Sequence, residues 1–370
     1  MARKRTNYFY KANGLIEHRF YYNGERFSVY GRTMDDIETK KDEKIAQLEA
    51  GLRGDCSNFT VDRYYDLWQK ERAANGDVKA STVYGGSEKY GRAAKIIGSC
   101  KVKDVTPATI KKVKSELVKR GLCTTTINDT LVLLRCLFKS AVNDKIISES
   151  PCKGIANLKR KEAAAAQTIH RALTIEEQEA FFNEAKASCW YYELYSFLIQ
   201  TGLRVGEAAA LTWKDVDLNK RVIHVRKSLD RVSNTKWVID TPKTKTSVRD
   251  IPISRGIEKT LLEQKAKSSI ARIDNIVFTS PYGDYIKHTS VNNCITNILK
   301  KLDEKGTPIE HFSVHALRDT FATRCIEQGM NPQTLKTILG HSSLSMTMDL
   351  YAHVLPDTKE RELSKIMISV

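Results

Sequence analysis

Residues 315–354 read HALRDTFATRCIEQGMNPQTLKTILGHSSLSMTMDLYAHV, and this pattern predicts three consecutive helices. His315 and Arg318 are three residues apart, so they share one face of the first helix. The apolar side chains Leu317, Phe321 and Cys325 form its opposite, buried stripe. Two cationic donors that project side by side suit a pair of anionic oxygens better than they suit each other.

The second helix of this stretch is bounded by Asn331-Pro332 and Gly340, since proline favours a first helical turn and glycine a helix end. His341 therefore follows a helix end directly. Ser345 is expected to cap the third helix, which carries Tyr351. Taken alone, Tyr351 has the simpler interpretation of a half-buried tyrosine on a surface helix, so its role depends on the rest of the chain.

Two stretches further upstream place cations in unusual surroundings. In TGLRVGEAAAL, Arg204 opens a helix between two apolar residues, so it must face a cleft or pair with Glu207 on the next turn. In TPKTKTSVRDIPI, Lys243 and Lys245 lie near a turn between predicted strands. Lysines in turns are usually inert, so this second signal is weak by itself.

These residues together favour chemistry on a phosphodiester. Two arginines can hold the non-bridging oxygens, and histidine can accept the phenol proton or donate to the phosphate. Tyrosine is an established covalent nucleophile, and a lysine can protonate the departing sugar oxygen. A covalent phosphotyrosine conserves the bond energy, so rejoining requires no ATP. The set contains no metal-ligand spacing, so neither a metal nor another cofactor is expected.

The composition favours a nucleic-acid partner. The 370 residues include 60 Lys and Arg against 44 Asp and Glu, a formal net charge of +16. The alternative to a nucleic-acid partner is that the positive net charge serves only to keep the protein in solution. A hydrophobic content of 41% excludes global disorder, and the length allows two or three domains.

The cysteine pattern favours reduced thiols in a cytosolic protein. No two of the eight cysteines form a C-x-x-C pair, and the start MARKRTNYFYK has no apolar signal core. No apolar run is long enough to span a membrane. The cysteines are Cys56, Cys100, Cys123, Cys136, Cys152, Cys189, Cys294 and Cys325.

The chain is predicted to divide into three domains and a linker. Residues 1–55 alternate aromatic and polar side chains across the turns Asn13-Gly14 and Asn23-Gly24, which predicts a three-stranded sheet followed by a helix. This basic sheet either enters a groove of DNA or is an ordinary sheet with a polar face. Residues 56–152 show apolar stripes at helical spacing and predict an all-helical domain.

Residues 153–171 change composition and contain the cluster Lys159, Arg160 and Lys161, which predicts a basic linker. The linker either follows a DNA backbone or is a plain tether. Residues 172–370 begin with a capping box at Thr174, and RVIHVRKSL, TKWVIDTP and SVRDIPI are predicted as three strands. The predicted fold class is multidomain α+β, mainly helical, with small antiparallel sheets at the N-terminus and in the last domain.

The order TGLRVGE, K-T-K, HALRDTFAT, LGHSS and Y-A-H-V resembles the tyrosine recombinase (phage-type integrase) family across the last domain. The resemblance implies a 3′-phosphotyrosyl intermediate and strand exchange through a Holliday junction. In hairpins of variable length either Lys243 or Lys245 can be the general acid. The implied active-site residues are Arg204, Lys243, His315, Arg318, His341 and Tyr351.

The same resemblance implies roles for the other domains. Residues 1–55 are similar to arm-binding domains of integrases from phages and conjugative transposons, and residues 56–152 to helical, SAM-like core-binding domains. The implied partners are double-stranded DNA at core and arm sites, further copies of the chain in a dimer or tetramer, an excisionase and a host DNA-bending protein. The tail helix after Asp357 docks either on a neighbouring copy or on its own domain. The expected DNA contacts are Arg3, Lys4, Arg5, Lys159, Arg160 and Lys161.

Two other functions fit parts of this pattern. One is an inactive or architectural DNA-binding protein that keeps the fold, which the presence of all six polar residues disfavours. The other is a type IB topoisomerase, which the arm-like first domain disfavours.

Overall fold

The computed structural model describes residues 7–12, 14–22, 25–49, 59–76, 78–159, 171–233, 235–242, 245–267 and 275–354. The chain divides into two compact units, Met1–Lys161 and Glu162–Val370. Several predicted features lie outside the described residues: Arg3, Lys4, Arg5, Arg160, Lys161, Lys243, the side chain of Lys245, the turn Asn23-Gly24 and the segment 357–370.

The first unit begins with the predicted three-stranded antiparallel sheet. Its strands follow in chain order: β1 (Tyr8–Tyr10), β2 (Ile16–Tyr22) and β3 (Glu25–Gly31). Helix α1 (Met34–Glu49) packs on one face, where Ile16, Phe20 and Ile37 are buried. Because side chains alternate along a strand, Glu17 and Arg19 of β2 point to the other face.

That other face of the sheet carries cations and aromatic rings. The Arg19 guanidinium lies 4.2 Å from the centre of the Phe9 ring. Glu17 sits between Arg19 and Lys11, with contacts of 2.8 Å and 3.0 Å. Hydrogen bonds from Arg19 and then Lys11 lower the pKa of Glu17 to about 2. The carboxylate thereby fixes both cations on the exposed face.

In the described part of the first unit, four α-helices follow α1, as the apolar stripes predict. The stripes of α2, α4 and α5 are buried in one shared core. Thr60 begins α2 by accepting a hydrogen bond from the Arg63 amide, and Pro107 is the first residue of α4. The helices are α2 (Val61–Ala74), α3 (Ala80–Ile97), α4 (Pro107–Lys119) and α5 (Thr124–Asn143).

The second unit is mainly helical. Its first helix begins with the predicted capping box between Thr174 and Glu177. The helices are α6 (Ile175–Ser188), α7 (Tyr192–Thr201), α8 (Val205–Ala209), α9 (Arg255–Lys267), α10 (His288–Glu304), α11 (His315–Glu327), α12 (Pro332–Leu339) and α13 (Leu344–Val354). A large core shared by α6–α11 buries Phe181, Tyr195 and Leu317.

Among the residues described between α8 and α9, the strands form two small antiparallel sheets. One orders its strands β4 (Val216–Asp217), β5 (Val222–Val225) and β8 (Arg249–Pro252), and the other is the hairpin of β6 (Ser228–Arg231) and β7 (Trp237–Asp240). The prediction of RVIHVRKSL as one strand is wrong, because the chain leaves the first sheet after Val225 and enters the second at Ser228.

Two further expectations are corrected. Ser345 lies inside α13, and the hydroxyl of Ser343 instead accepts the hydrogen bond from the Met346 amide. Cys189 and Cys294 form a disulfide, so the expectation of reduced thiols is wrong for this pair. These cysteines are 105 residues apart and meet because the end of α6 packs on α10. None of the helices among the described residues is long and apolar enough to cross a bilayer.

Candidate active site

Arg204 is positioned by a glycine turn between two helices. Gly202 ends α7 with φ +64°, and a side chain there would collide with the Phe321 ring. Two residues later, Arg204 begins α8 with 39% of its side chain exposed. The sequence left open whether Arg204 faces a cleft or pairs with Glu207, and the structure shows both.

Glu207 is a buried carboxylate between two arginines. Its two oxygens accept hydrogen bonds from the Arg204 side chain at 2.9 Å and from the Arg204 backbone amide at 3.0 Å. The terminal nitrogens of Arg249 donate to the same oxygens at 3.2 Å and 2.8 Å. Burial raises the pKa of Glu207, but the hydrogen bonds and charge of Arg249 outweigh it, so the pKa lies below its ordinary value.

Arg318 lies deeper in the same region. Its two terminal nitrogens donate to the carbonyl of Gly202 at 2.6 Å and to the carbonyl of Leu339 at 2.7 Å. Burial, and next the positive charge of Arg204, lower the pKa of Arg318 to about 9. The guanidinium is still charged at neutral pH, but its surroundings destabilise that charge, so an anion placed nearby would be bound favourably.

His341 is held at the end of α12 by the turn that the sequence predicts. Gly340 adopts φ +67°, its amide donates to Thr337, and the His341 amide donates to Lys336. The ring Nδ1 of His341 lies 2.9 Å from the hydroxyl of Thr347 on α13. The histidine is therefore joined both to the end of α12 and to the helix that carries Tyr351.

A cavity of about 700 Å³ opens beside these groups. His315, the first residue of α11, is exposed and borders it together with Arg204 and Ser342, the neighbour of His341. Further lining residues, which the sequence did not single out, come from the β6–β7 hairpin, the start of α10 and α13: Ser228, Asp230, Trp237, His288, Thr289 and Met346. Burial lowers the pKa of His288, so this imidazole is neutral at pH 7.

Tyr351 does not border the cavity. Its hydroxyl donates a hydrogen bond to the backbone carbonyl of Met330, in the turn before α12. Its ring packs against the small cluster that includes Cys325, Leu335 and Leu339. Burial raises the pKa of Tyr351, so the phenol is protonated at neutral pH.

The structure thus brings Arg204, His315, Arg318 and His341 into one region and places Tyr351 next to it. Arg249 was not identified from the sequence, although the alternation of side chains along its strand offered a signal. Arg249 and Ile251 share one face of strand β8, Ile253 directly follows the strand, and the two isoleucines belong to the core. A charged residue on the apolar face of a strand must have a buried partner, which here is Glu207.

The sequence model of the phage integrase family matches residues 171–357. Among curated proteins, the chain is 27% identical to a XerC-like tyrosine recombinase of Caldanaerobacter subterraneus subsp. tengcongensis, over 90% of this chain and 89% of that protein. It is 26% identical to the transposase from transposon Tn916 of Enterococcus faecalis, over 73% of this chain and 68% of that protein.

Among solved structures, the integrase of transposon Tn1549 in complex with a circular intermediate DNA superposes with a TM-score of 0.71 at 26% identity. The match covers 83% of this chain and 99% of that one. A lambda integrase tetramer bound to a Holliday junction gives a TM-score of 0.57 at 17% identity, over 92% and 97% of the two chains, and shows the shared fold.

Proposed function

The chain belongs to the phage integrase family, and from this premise we propose that it is a site-specific DNA recombinase that integrates and excises a mobile element. The element is a conjugative transposon or a prophage. The observation that carries the proposal is the grouping of Arg204, His315 and the His341 turn around one cavity, with Arg318 buried beside them.

In the proposed reaction, the Tyr351 oxygen attacks the scissile phosphorus and the bond to the 5′ oxygen breaks. The products are a 3′-phosphotyrosyl linkage and a free 5′-hydroxyl. Arg204 and Arg318 bind the non-bridging oxygens and balance the charge that develops on them. His315 and His341 bind the phosphate or accept the phenol proton, and Lys243 or Lys245 protonates the leaving oxygen. The reverse attack by a 5′-hydroxyl rejoins the strand without metal or ATP.

Tyr351 must move for this attack. Its hydroxyl is bonded to the Met330 carbonyl and its ring lies in an apolar cluster outside the cavity lining. Helix α13 also carries Thr347, the hydrogen-bond partner of His341. A shift of α13 that releases Tyr351 therefore alters the contact that orients His341, so the two groups are expected to engage the phosphate together.

The first two domains are proposed to bind DNA at different sites. Residues 1–55 contact arm sites through the sheet face that carries Lys11 and Arg19, and residues 56–152 contact the core site, with Lys159 in the linker that follows. Residues 172–370 form the catalytic domain. The active assembly is a dimer or tetramer on DNA in the bacterial cytoplasm, joined by an excisionase and a host DNA-bending protein.

The proposal is tested with a duplex that carries a nick close to the crossover point, so that a short 5′-hydroxyl fragment diffuses away after cleavage. Purified protein in EDTA and without ATP is expected to form a covalent protein–DNA complex that survives denaturing electrophoresis. Tight, specific binding without any adduct would instead support an inactive DNA-binding protein. Relaxation of plasmids that contain no specific site would support a topoisomerase.

A further inference from the structure

Arg249 is a buried cation that the proposed reaction does not use. Only 2% of its side chain is exposed, and four hydrogen bonds occupy its guanidinium. Two of them go to Glu207, one to the carbonyl of Ser247 at 3.0 Å and one to the carbonyl of Ile338 at 2.5 Å. We propose that Arg249 is a positioning residue for strand cleavage, which acts through Arg204 and through the end of α12.

The first link runs through Glu207. This carboxylate binds both Arg249 and Arg204, so the three groups carry a net charge of +1 near the cavity. Without Arg249, Arg204 would be the arginine that remains hydrogen-bonded to the carboxylate. Arg204 would then be held by Glu207 instead of presenting its charge to a phosphate, and the buried carboxylate would repel that phosphate.

The second link runs through the C-terminal end of α12. Arg249 binds the carbonyl of Ile338, and Arg318 binds the next carbonyl, that of Leu339. The last carbonyls of a helix lack partners within the helix and carry partial negative charge, so two guanidinium groups stabilise this end strongly. His341 follows two residues after Leu339, so its position depends on both arginines.

The packing around Gly340 strengthens this link. A side chain at Gly340 would come within 3.0 Å of the Arg249 guanidinium and within 3.2 Å of the Thr246 carbonyl. The helix end therefore lies directly against Arg249, and a shorter side chain at position 249 would leave the turn before His341 unsupported. This inference rests on the proposed function, because it assigns Arg249 to the same cleavage reaction.

The test compares Arg249→Met and Arg249→Lys with wild-type protein on the nicked duplex, with DNA affinity measured separately by fluorescence anisotropy. Arg249→Met is expected to bind DNA as wild type does and to form the covalent complex about 100-fold more slowly. Arg249→Lys restores the charge but not the bidentate contact with Glu207, so it is expected to recover part of the wild-type rate. Arg221→Met is the matched control, since Arg221 pairs with Glu258 at the protein surface.

A double variant separates positioning from a general loss of stability. Combining Arg249→Met with Glu207→Gln removes the carboxylate that would hold Arg204, so the double variant is expected to cleave faster than Arg249→Met alone. A loss of packing alone predicts that the second substitution lowers the rate further, and this result would overturn the inference.

A substrate with sulfur in place of the 5′ bridging oxygen gives a second readout, because a sulfur leaving group does not need a proton from lysine. Arg249→Met is expected to remain slow on this substrate, since the defect concerns the phosphate. Full recovery there, or a wild-type rate on the ordinary substrate, would overturn the inference. If wild-type protein itself forms no adduct, the proposed function is wrong. A defect in Arg249→Met alone leaves the proposed function intact.

Discussion

The hydroxyl of Tyr351 donates a hydrogen bond to the backbone carbonyl of Met330, in the turn that joins α11 to α12. The proposed nucleophile therefore has a defined hydrogen-bond partner in this structure. Burial raises its pKa, so the phenol is protonated and is a weak nucleophile in this position. Cleavage requires both that this bond breaks and that a base accepts the proton.

Tyr351→Phe is expected to bind DNA with wild-type affinity and to form no covalent complex, because the ring remains and the attacking oxygen is lost. Loss of the hydrogen bond to Met330 is expected to lower the free energy of unfolding by about 1 kcal/mol. Denaturing electrophoresis and thermal unfolding check both effects. The control is Tyr282→Phe, at a tyrosine that is 74% exposed. A surviving adduct would place the nucleophile elsewhere.

Arg318→Lys is expected to reduce the rate of cleavage by about 100-fold, since one ammonium cannot replace two directed guanidinium contacts. The lysine cannot bind the carbonyls of Gly202 and Leu339 simultaneously, so the free energy of unfolding should also fall by about 2 kcal/mol. Single-turnover cleavage and thermal unfolding measure the two losses. A wild-type rate would contradict a role in binding the phosphate.

The choice between Lys243 and Lys245 as the general acid is tested by Lys243→Met and Lys245→Met. The variant that lacks the general acid is expected to cleave an ordinary phosphodiester about 100-fold more slowly, and to recover on the substrate with a 5′ bridging sulfur. The other variant serves as its matched control. We expect Lys243 to be the acid. If only Lys245→Met recovers on the sulfur substrate, Lys245 is the general acid.

Glu207→Gln is expected to lower the free energy of unfolding at pH 7 by about 3 kcal/mol, because it breaks a buried ion pair. The pKa of Glu207 is depressed in the folded protein, so its ionised form stabilises the fold fully above the ordinary value of 4.5. That contribution is lost as the pH falls through the folded pKa. The difference between wild type and variant should therefore narrow below pH 4.5. Urea unfolding at several pH values measures it, and a constant difference would contradict the assignment.

The affinity for DNA is expected to fall by about 1000-fold between about 50 mM and about 200 mM salt, because many Lys and Arg contacts release counterions. Lys159→Gln should reduce the slope of log affinity against log salt by about 1. Lys305→Gln is the control, since Glu184 already binds that lysine. Equal salt slopes for the two variants would show that Lys159 does not contact DNA.

Local sequence patterns predicted the parts of the fold that depend on neighbouring residues. The apolar stripes of residues 56–152 predicted helices with one buried face, and Ile110, Val113 and Leu117 of α4 are fully buried. The turn at Gly340 was likewise predictable, because a left-handed helix end favours glycine. These features require no information from distant parts of the chain.

Features that depend on distant contacts were not predictable in this way. Cys189 and Cys294 gave no spacing signal, because their meeting depends on how α6 packs on α10. The hydrogen bond of Tyr351 to Met330 and the bond of Arg249 to Ile338 each join two separate segments. The sequence therefore indicates which residues form the candidate site, and the tertiary packing determines which partners these residues have.

The contacts of Arg318 and Arg249 have a consequence for protein synthesis. Arg318 binds the Gly202 carbonyl across 116 residues of chain, and Arg249 binds the Ile338 carbonyl across 89 residues. Such long-range contacts form only after the later segment has been synthesised. A nascent chain on the ribosome can therefore complete the sheet and helices of residues 7–159 while the proposed active site is still unassembled. Premature termination before α12 would yield a fragment that retains those elements but lacks His341 and Tyr351 of the proposed active site.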